Sequence, residues 1–271
     1  MNSIAALDAQ ALPEPPGREL TLHLVSDLDG TWLPAPNHQG DLALLEAFLA
    51  GHPGIVLTFA TGRTLGSALA VLASLGAALP KYLIADVGTA IFQRDAQGRW
   101  RELEDYGQWV ARRWNPVAVE RALRGTLPAG VTAQAGVVPC RRLALEVGCG
   151  TDLRRGALAL AESLAAAGVE ADILPSAGHC LDVLPRGVHK GTAVEYLQAR
   201  HGLPRPLVVC GDSGNDLGML RIADVPVLMA SSSLPPDAPG LDSNRLVQPC
   251  APGPLGILAT LRGLAAPEAT P

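Results

Sequence analysis

Short apolar runs alternate along this chain with longer stretches whose apolar residues recur every three or four positions. The first run starts near Leu20, passes through Leu22 to Val25, and stops at Ser26-Asp27-Leu28-Asp29-Gly30-Thr31. Runs of this length bounded by turn residues predict buried strands. The same reading predicts strands at Ile55–Phe59, Lys81–Ala85, Leu181–Leu184, Leu207–Cys210 and Val225–Met229. Helical stripes lie between them. One carries Leu42, Leu45, Ala47, Phe48 and Leu49 behind a capping Asp41, and another Leu65, Ala68, Leu69, Leu72 and Leu75. Further helices are predicted over Lys190 to Arg200, beyond Asp216 as a short helix to Ala223, and over Leu255 to Leu264. Strands apolar on both faces, alternating with helices, predict a doubly wound α/β fold with a parallel sheet between helix layers.

The middle of the chain follows a different rhythm. Phe92 to Trp100 reads as a hairpin turning at Asp95-Ala96-Gln97-Gly98, and Pro116 to Thr126 as a helix. Arg142 to Val147 alternates like a half-buried antiparallel strand. Asp152 to Ala167 is an amphipathic helix stopped by Gly168, and Val169 to Leu174 a further strand. The expectation is a small α+β unit, residues 108–175, inserted into a larger unit made of residues 18–107 and 176–271. Residues 1–17 are rich in Ala and Pro and read as a flexible tail.

Composition narrows the function classes. Hydrophobic residues make up 48% of the 271 positions and charged residues 17%, so core material is ample. A net charge of -5 gives no basic footprint for nucleic acid. No stretch reaches 18 uninterrupted apolar residues, so no membrane-spanning segment is expected, and the start lacks the pattern of a secretory leader. The five cysteines are scattered without metal-knuckle spacing, which suits free thiols in a reducing cytoplasm.

The polar residues that interrupt this pattern gather after predicted strands, where open α/β sheets place their ligands. Asp27 and Asp29 are two apart, so continued strand geometry would send both side chains to one face. Like charges that close repel unless a cation or a shared proton intervenes. Taken alone, the pair could equally be one turn-capping Asp beside one solvated Asp. Thr61-Gly62 after the second strand, Lys190 at a helix start, and Asp212, Asn215 and Asp216 after Leu207–Cys210 extend the cluster. Carboxylates from two strands make an oxygen-rich site suited to Mg²⁺. A Thr hydroxyl, a glycine amide and an ammonium are the donors a phosphoryl group needs.

In order, the segments DLDGT, TGR, HKG and GDSGND resemble the four motifs of the haloacid dehalogenase (HAD) superfamily of phosphohydrolases. The long interval between Thr61 and Lys190 resembles the subgroup whose cap is inserted between the second and third motifs. SDLDGTWL, FATGR, DVGTAIF, LDVLP followed by HKGTA, and VVCGDSGND are similar to the sucrose-phosphate phosphatase family. That resemblance implies a Rossmann-like core with an α+β cap that selects substrate. It implies Asp27 as nucleophile forming an aspartyl-phosphate, and Asp29 as acid and then base, with Gly30 freeing the chain to turn it. It implies Mg²⁺ on Asp27, the Asp29 carbonyl and Asp212, supported by Asp216. Thr61, Gly62, Lys190 and Asn215 would hold the phosphoryl oxygens.

The substrate implied is a small sugar phosphate, foremost a disaccharide phosphate such as sucrose 6-phosphate. Mannosylfructose-phosphate, glucosylglycerol-phosphate and mannosyl-3-phosphoglycerate are rivals. A sugar phosphomutase and a non-enzymatic sugar-phosphate-binding module paired with a glycosyltransferase are the other classes. The sequence departs from the family before LDVLP: Ser176-Ala177-Gly178-His179-Cys180 stands where a charged Lys and Asp are expected. His179 can still donate to a sugar hydroxyl or be an ordinary loop residue, and Cys180 is a poor sugar ligand. Trp100, Trp109 and Trp114 could stack on a sugar, but packing is the commoner use of aromatics. Arg63 reads as a helix-start side chain, and Arg112 and Arg113 as a solvated helix face.

Overall fold

A computed structural model of the chain describes residues 19–266 apart from 37, 126 and 177. The expected tail at 1–17, Thr126 and Ala177 therefore lie outside the described residues. The strand β1 (Leu22–Ser26) is wholly buried, and its residues alternate between two packing layers. Leu22 and Leu24 face one apolar cluster and Val25 faces another. This alternation is why a strand apolar on both sides needs helices on both sides.

Those helices follow in order: α1 (Gln39–Ala50), β2 (Ile55–Ala60), α2 (Leu65–Ser74) and β3 (Tyr82–Ala85). The hairpin β4 (Ala90–Arg94) and β5 (Trp100–Glu102) turns where Asp95 Oδ1 accepts from the Gln97 and Arg99 amides, and α3 (Glu104–Ala111) comes next. After the inserted unit the core resumes with α6 (Lys190–His201), β10 (Leu207–Gly211), α7 (Leu217–Arg221), β11 (Val225–Leu228) and α8 (Gly253–Ala265). The seven-stranded sheet runs β11-β10-β1-β2-β3-β4-β5. Its first five strands are parallel, and β4 and β5 run antiparallel at the edge. Helices α1, α2 and α8 cover one face, and α3, α6 and α7 the other.

The inserted unit contains α4 (Pro116–Leu123), β6 (Val131–Ala133), β7 (Leu143–Val147), α5 (Leu153–Ala166), β8 (Ala171–Ser176) and β9 (Cys180–Pro185). Its four strands pair antiparallel in the order β6-β7-β9-β8. Asn115 and Asp152 cap α4 and α5, which bury Val119, Leu123, Leu160 and Leu164 in a cluster of their own.

Several details differ from the sequence reading. Strand β9 lies beyond residue 175 yet pairs in the inserted unit's sheet, because Leu181 and Val183 face the same apolar cluster as β7. Helix α3 extends past residue 107 but packs Tyr106 and Val110 into the core. The pairing therefore supports an inserted unit shifted towards the C-terminus. His38, not Asp41, is the N-cap of α1, which begins two residues before Asp41; Asp41 instead sits 3.3 Å from His38 Nδ1. Strand β6 was not expected from its three residues.

Candidate active site

Parallel register determines what meets at the carboxyl edge of the sheet. Ser26 sits opposite Cys210 on one side and Phe59 on the other. The residues just beyond are Asp27, the Gly211-Asp212 segment and Ala60-Thr61. The Asp27 amide donates to the Cys210 carbonyl at 3.0 Å, which fixes the end of β1 against β10.

Strand geometry does not continue to Asp29. Residues 28–32 form a helical turn that starts at Leu28 and is interrupted at Asp29, whose backbone is extended, and at Gly30, where φ is 78°. A side chain there would collide with the Asp212 carboxylate, so glycine serves both the turn and the close approach. The two acidic side chains of the motif therefore separate. Asp27 is buried, and its Oδ1 accepts from Lys190 Nζ at 2.8 Å. Asp29 is 53% exposed and takes a two-pronged contact from Arg63, Nε to Oδ2 at 2.8 Å and Nη2 to Oδ1 at 2.6 Å.

Lys190 is wholly buried at the start of α6, whose N-terminus is closed by a reciprocal cap between His189 and Thr192. Its ammonium bridges Asp27 and Asp216 Oδ1, the latter at 2.7 Å. Asp216 Oδ2 accepts from the Asp212 and Ser213 amides at 3.0 Å each, so this carboxylate clamps the loop after β10 and supports Lys190 at once. Asn215 lines the cavity and its Oδ1 accepts from Ser213 Oγ. Thr61 is buried beside Gly62, and its Oγ1 accepts from the Arg63 amide at 3.1 Å.

Asp27, Asp212 and Asp216 each bring an oxygen within 4.8 Å of the others. Three carboxylates then face one ammonium. Burial is the largest influence on Asp27 and pushes it well above the usual carboxylate range, against the pull of Lys190. Asp212 is raised to about 6, first by burial and then by the Asp216 charge. Burial alone would discharge Lys190, but Asp216 and Asp27 outweigh it and hold the ammonium protonated. A hard divalent cation relieves this excess of negative oxygens, and the donor set fits one. Asp29 stands outside this group by its side chain; the metal role expected for it concerned its carbonyl.

A cavity of about 1040 Å³ opens over the cluster. Asp27, Asp29, Gly30, Gly62, Arg63 and Asp212 form its core side, and Gln134, Val137, Val138, Ser176, His179 and Cys180 its opposite wall. His179 is thus on the wall that faces the carboxylate cluster. The tryptophans are elsewhere: Trp100 and Trp114 pack against apolar clusters, and Trp109 lies between Tyr106 and Arg113.

Sequence reasoning missed Arg142 and its partners Asp86 and Asp182, all buried at the junction of the two units. The signal was available: Asp182 interrupts an apolar strand and Asp86 follows another, and each needs a cation if buried.

The profile of the sucrose-6F-phosphate phosphohydrolase family matches residues 20–236. A HAD-like hydrolase of Nitrosococcus oceani is 30% identical over 211 residues, 73% of this chain, and the chain spans 56% of that protein's length. A mannosylfructose-phosphate phosphatase of Agrobacterium fabrum is 32% identical over 189 residues, covering 66% of this chain and 71% of the relative. Among solved structures, the sucrose-phosphatase of Synechocystis sp. PCC6803 in complex with sucrose and phosphate superposes with a TM-score of 0.78 at 25% identity, covering 90% of this chain and 97% of that one. The chain belongs to the sucrose-6F-phosphate phosphohydrolase family within the HAD phosphohydrolases.

Proposed function

We propose that this protein is a Mg²⁺-dependent phosphatase that hydrolyses a sugar phosphate, a disaccharide phosphate such as sucrose 6-phosphate first among them. The observation that carries this reading is the buried Asp27, held by Lys190 beside Asp212, at the floor of a cavity whose far wall has Arg142 and Asp182 paired with each other and almost wholly buried. Nothing in a structural ion pair calls for such a cluster under a large opening. Family membership supports the reaction class, and the similarity to a sucrose-phosphatase supports the sugar.

In this mechanism Lys190 holds Asp27 Oδ1, which leaves Oδ2 to attack phosphorus. The bond from phosphorus to the sugar oxygen breaks, and Asp29 gives that oxygen its proton. Asp29 then takes a proton from water as the water oxygen attacks the aspartyl-phosphate, which releases phosphate and restores Asp27. Thr61, Gly62, Lys190 and Asn215 hold the non-bridging oxygens in place. Asp27 and Asp212 would hold Mg²⁺, with Asp216 behind them; when bound, the ion offsets repulsion between Asp27 and the phosphate dianion.

A phosphate-release screen with Mg²⁺ and after chelation tests the proposal. Sucrose 6-phosphate, mannosylfructose phosphate, glucosylglycerol phosphate and hexose monophosphates make up the panel. Metal-dependent release from a disaccharide phosphate is expected; absence of release from every sugar phosphate overturns the reading.

A further inference from the structure

Arg142 lies immediately before β7 in the inserted unit, with only 3% of its side chain exposed. Its guanidinium reaches three segments. Nε donates to Asp86 Oδ1 at 3.1 Å, Nη1 to Asp182 Oδ1, and Nη2 to the Gly62 carbonyl at 2.9 Å. Asp182 belongs to the inserted sheet, whereas Asp86 and Gly62 belong to the core. One cation from the inserted unit therefore grips the backbone of the loop proposed to receive phosphate. With these three nitrogens engaged and almost no exposed surface, the group is committed to protein partners even though it borders the cavity.

The core side of this junction is unusually constrained. Asp86 and Val87 both adopt positive φ, 49° and 60°. For a β-branched residue this backbone is a genuine outlier, kept only where the surroundings impose it. The turn puts the Asp86 amide on the Arg63 carbonyl at 2.9 Å and the Val87 amide on the Thr61 carbonyl at 3.0 Å. The next residue, Gly88, has φ 101°, and a Cβ there would run into the backbone of His189 and Lys190. Residues 86–88 thus brace both Thr61-Gly62-Arg63 and the start of α6. Arg141 adds a second tie, from Nη1 to Glu102 Oε1 at 2.5 Å and to the Thr89 carbonyl at 3.4 Å.

We propose that Arg142 is a positioning residue through which docking of the inserted unit onto the Asp86–Thr89 turn sets the conformation of the phosphate loop Thr61-Gly62-Arg63. The proposal rests on the phosphatase reading above. A lysine cannot replace it, because a single ammonium does not span three acceptors in the plane of a guanidinium.

The test uses the full chain carrying Arg142→Lys, Arg142→Gln, or Arg142→Gln with Asp182→Asn. The double variant also removes one of the two carboxylates the guanidinium neutralises, which keeps the test open if the single variants do not fold. Inorganic phosphate as competitive inhibitor and p-nitrophenyl phosphate as substrate are measured beside thermal melting. Neither probe carries sugar hydroxyls for the far wall to recognise. Phosphate inhibition constants and KM rising about tenfold in the folded variants, without rescue by lysine, are the expected result. A lower melting temperature with unchanged inhibition constant and KM makes Arg142 merely structural and overturns the inference, as does a fall in kcat alone. Wild-type protein that neither turns over p-nitrophenyl phosphate nor binds phosphate sinks the phosphatase reading and this inference with it. An active wild type with phosphate-tight variants sinks only the inference.

Discussion

The two walls of the cavity are built on opposite principles. The core wall concentrates Asp27, Asp29, Arg63 and Asp212 at the ends of parallel strands, over the buried Lys190 and Asp216. The opposite wall presents Gln134, Val137, Val138, Ser176, His179 and Cys180, and its charged pair, Arg142 and Asp182, is bonded together and almost wholly buried. Register explains the first wall: parallel strands ending together bring side chains distant in sequence to one edge. The second is an antiparallel sheet and its loops, free to vary without disturbing that edge. Under the proposed function, the charge on one side would move a phosphoryl group, and the weakly polar surface on the other, its one ion pair buried, would suit an uncharged polyol. In the reading proposed above, chemistry and selectivity are therefore separable by mutation.

The largest effect expected is on the core side. Asp27→Asn removes the proposed nucleophile and should lower phosphate release by about 10⁴-fold or more, with folding retained because Lys190 keeps Asp216 as partner. Phosphate release and a melting curve on the same sample check both halves, and undiminished turnover breaks the assignment. Lys190→Met comes next and acts on stability as well. It leaves Asp27 and Asp216 buried without their cation, a loss of roughly 3–5 kcal/mol that appears as a lower melting temperature together with lost activity.

On the opposite wall the expected effect is smaller and of another kind. His179→Ala should raise KM for a disaccharide phosphate several-fold, about 1 kcal/mol, and affect p-nitrophenyl phosphate less. Equal losses on both substrates would erase the distinction between the walls.

The sequence was most informative where function is local. DLDGT, TGR and GDSGND each terminate a strand, so each motif carries its own address, and the alternation of apolar runs supplied the sheet. What escaped was set by contacts between segments far apart. Arg142, Asp86 and Asp182 come from three different segments and acquire meaning only when the inserted sheet meets the core. Arg63 resembled an ordinary helix-start residue until the turn over residues 28–32 brought Asp29 against it. Continuous strand geometry from Asp27 to Asp29 was the wrong premise there: Leu28 is helical between two extended residues, which breaks the alternation and sends the two acids to different partners. The placement of α1 failed for a simpler reason, since Asp is favourable both as a cap and in the first turn.

The subtlest difference between the walls should appear in the metal-free protein as a function of pH. Asp212 is held at about 6, above its ordinary 3.8, by burial and by Asp216. A carboxyl raised in the folded state binds its proton more tightly there than in the unfolded chain. Its stabilising contribution is full below about pH 4, falls as pH rises through about 6, and is absent above. Other acids titrate in the same range, so the informative quantity is the difference between wild type and Asp212→Asn in the presence of a chelator. The variant should melt higher at pH 7, by roughly 1 kcal/mol or a few degrees once partial solvent exposure is discounted, and the gap should close near pH 4. Gln134→Ala on the opposite wall removes no charge, so its difference from wild type should stay constant over the same range. A constant gap for Asp212→Asn would mean that the core wall stores no such repulsion, and the contrast between the two walls would then rest on geometry alone.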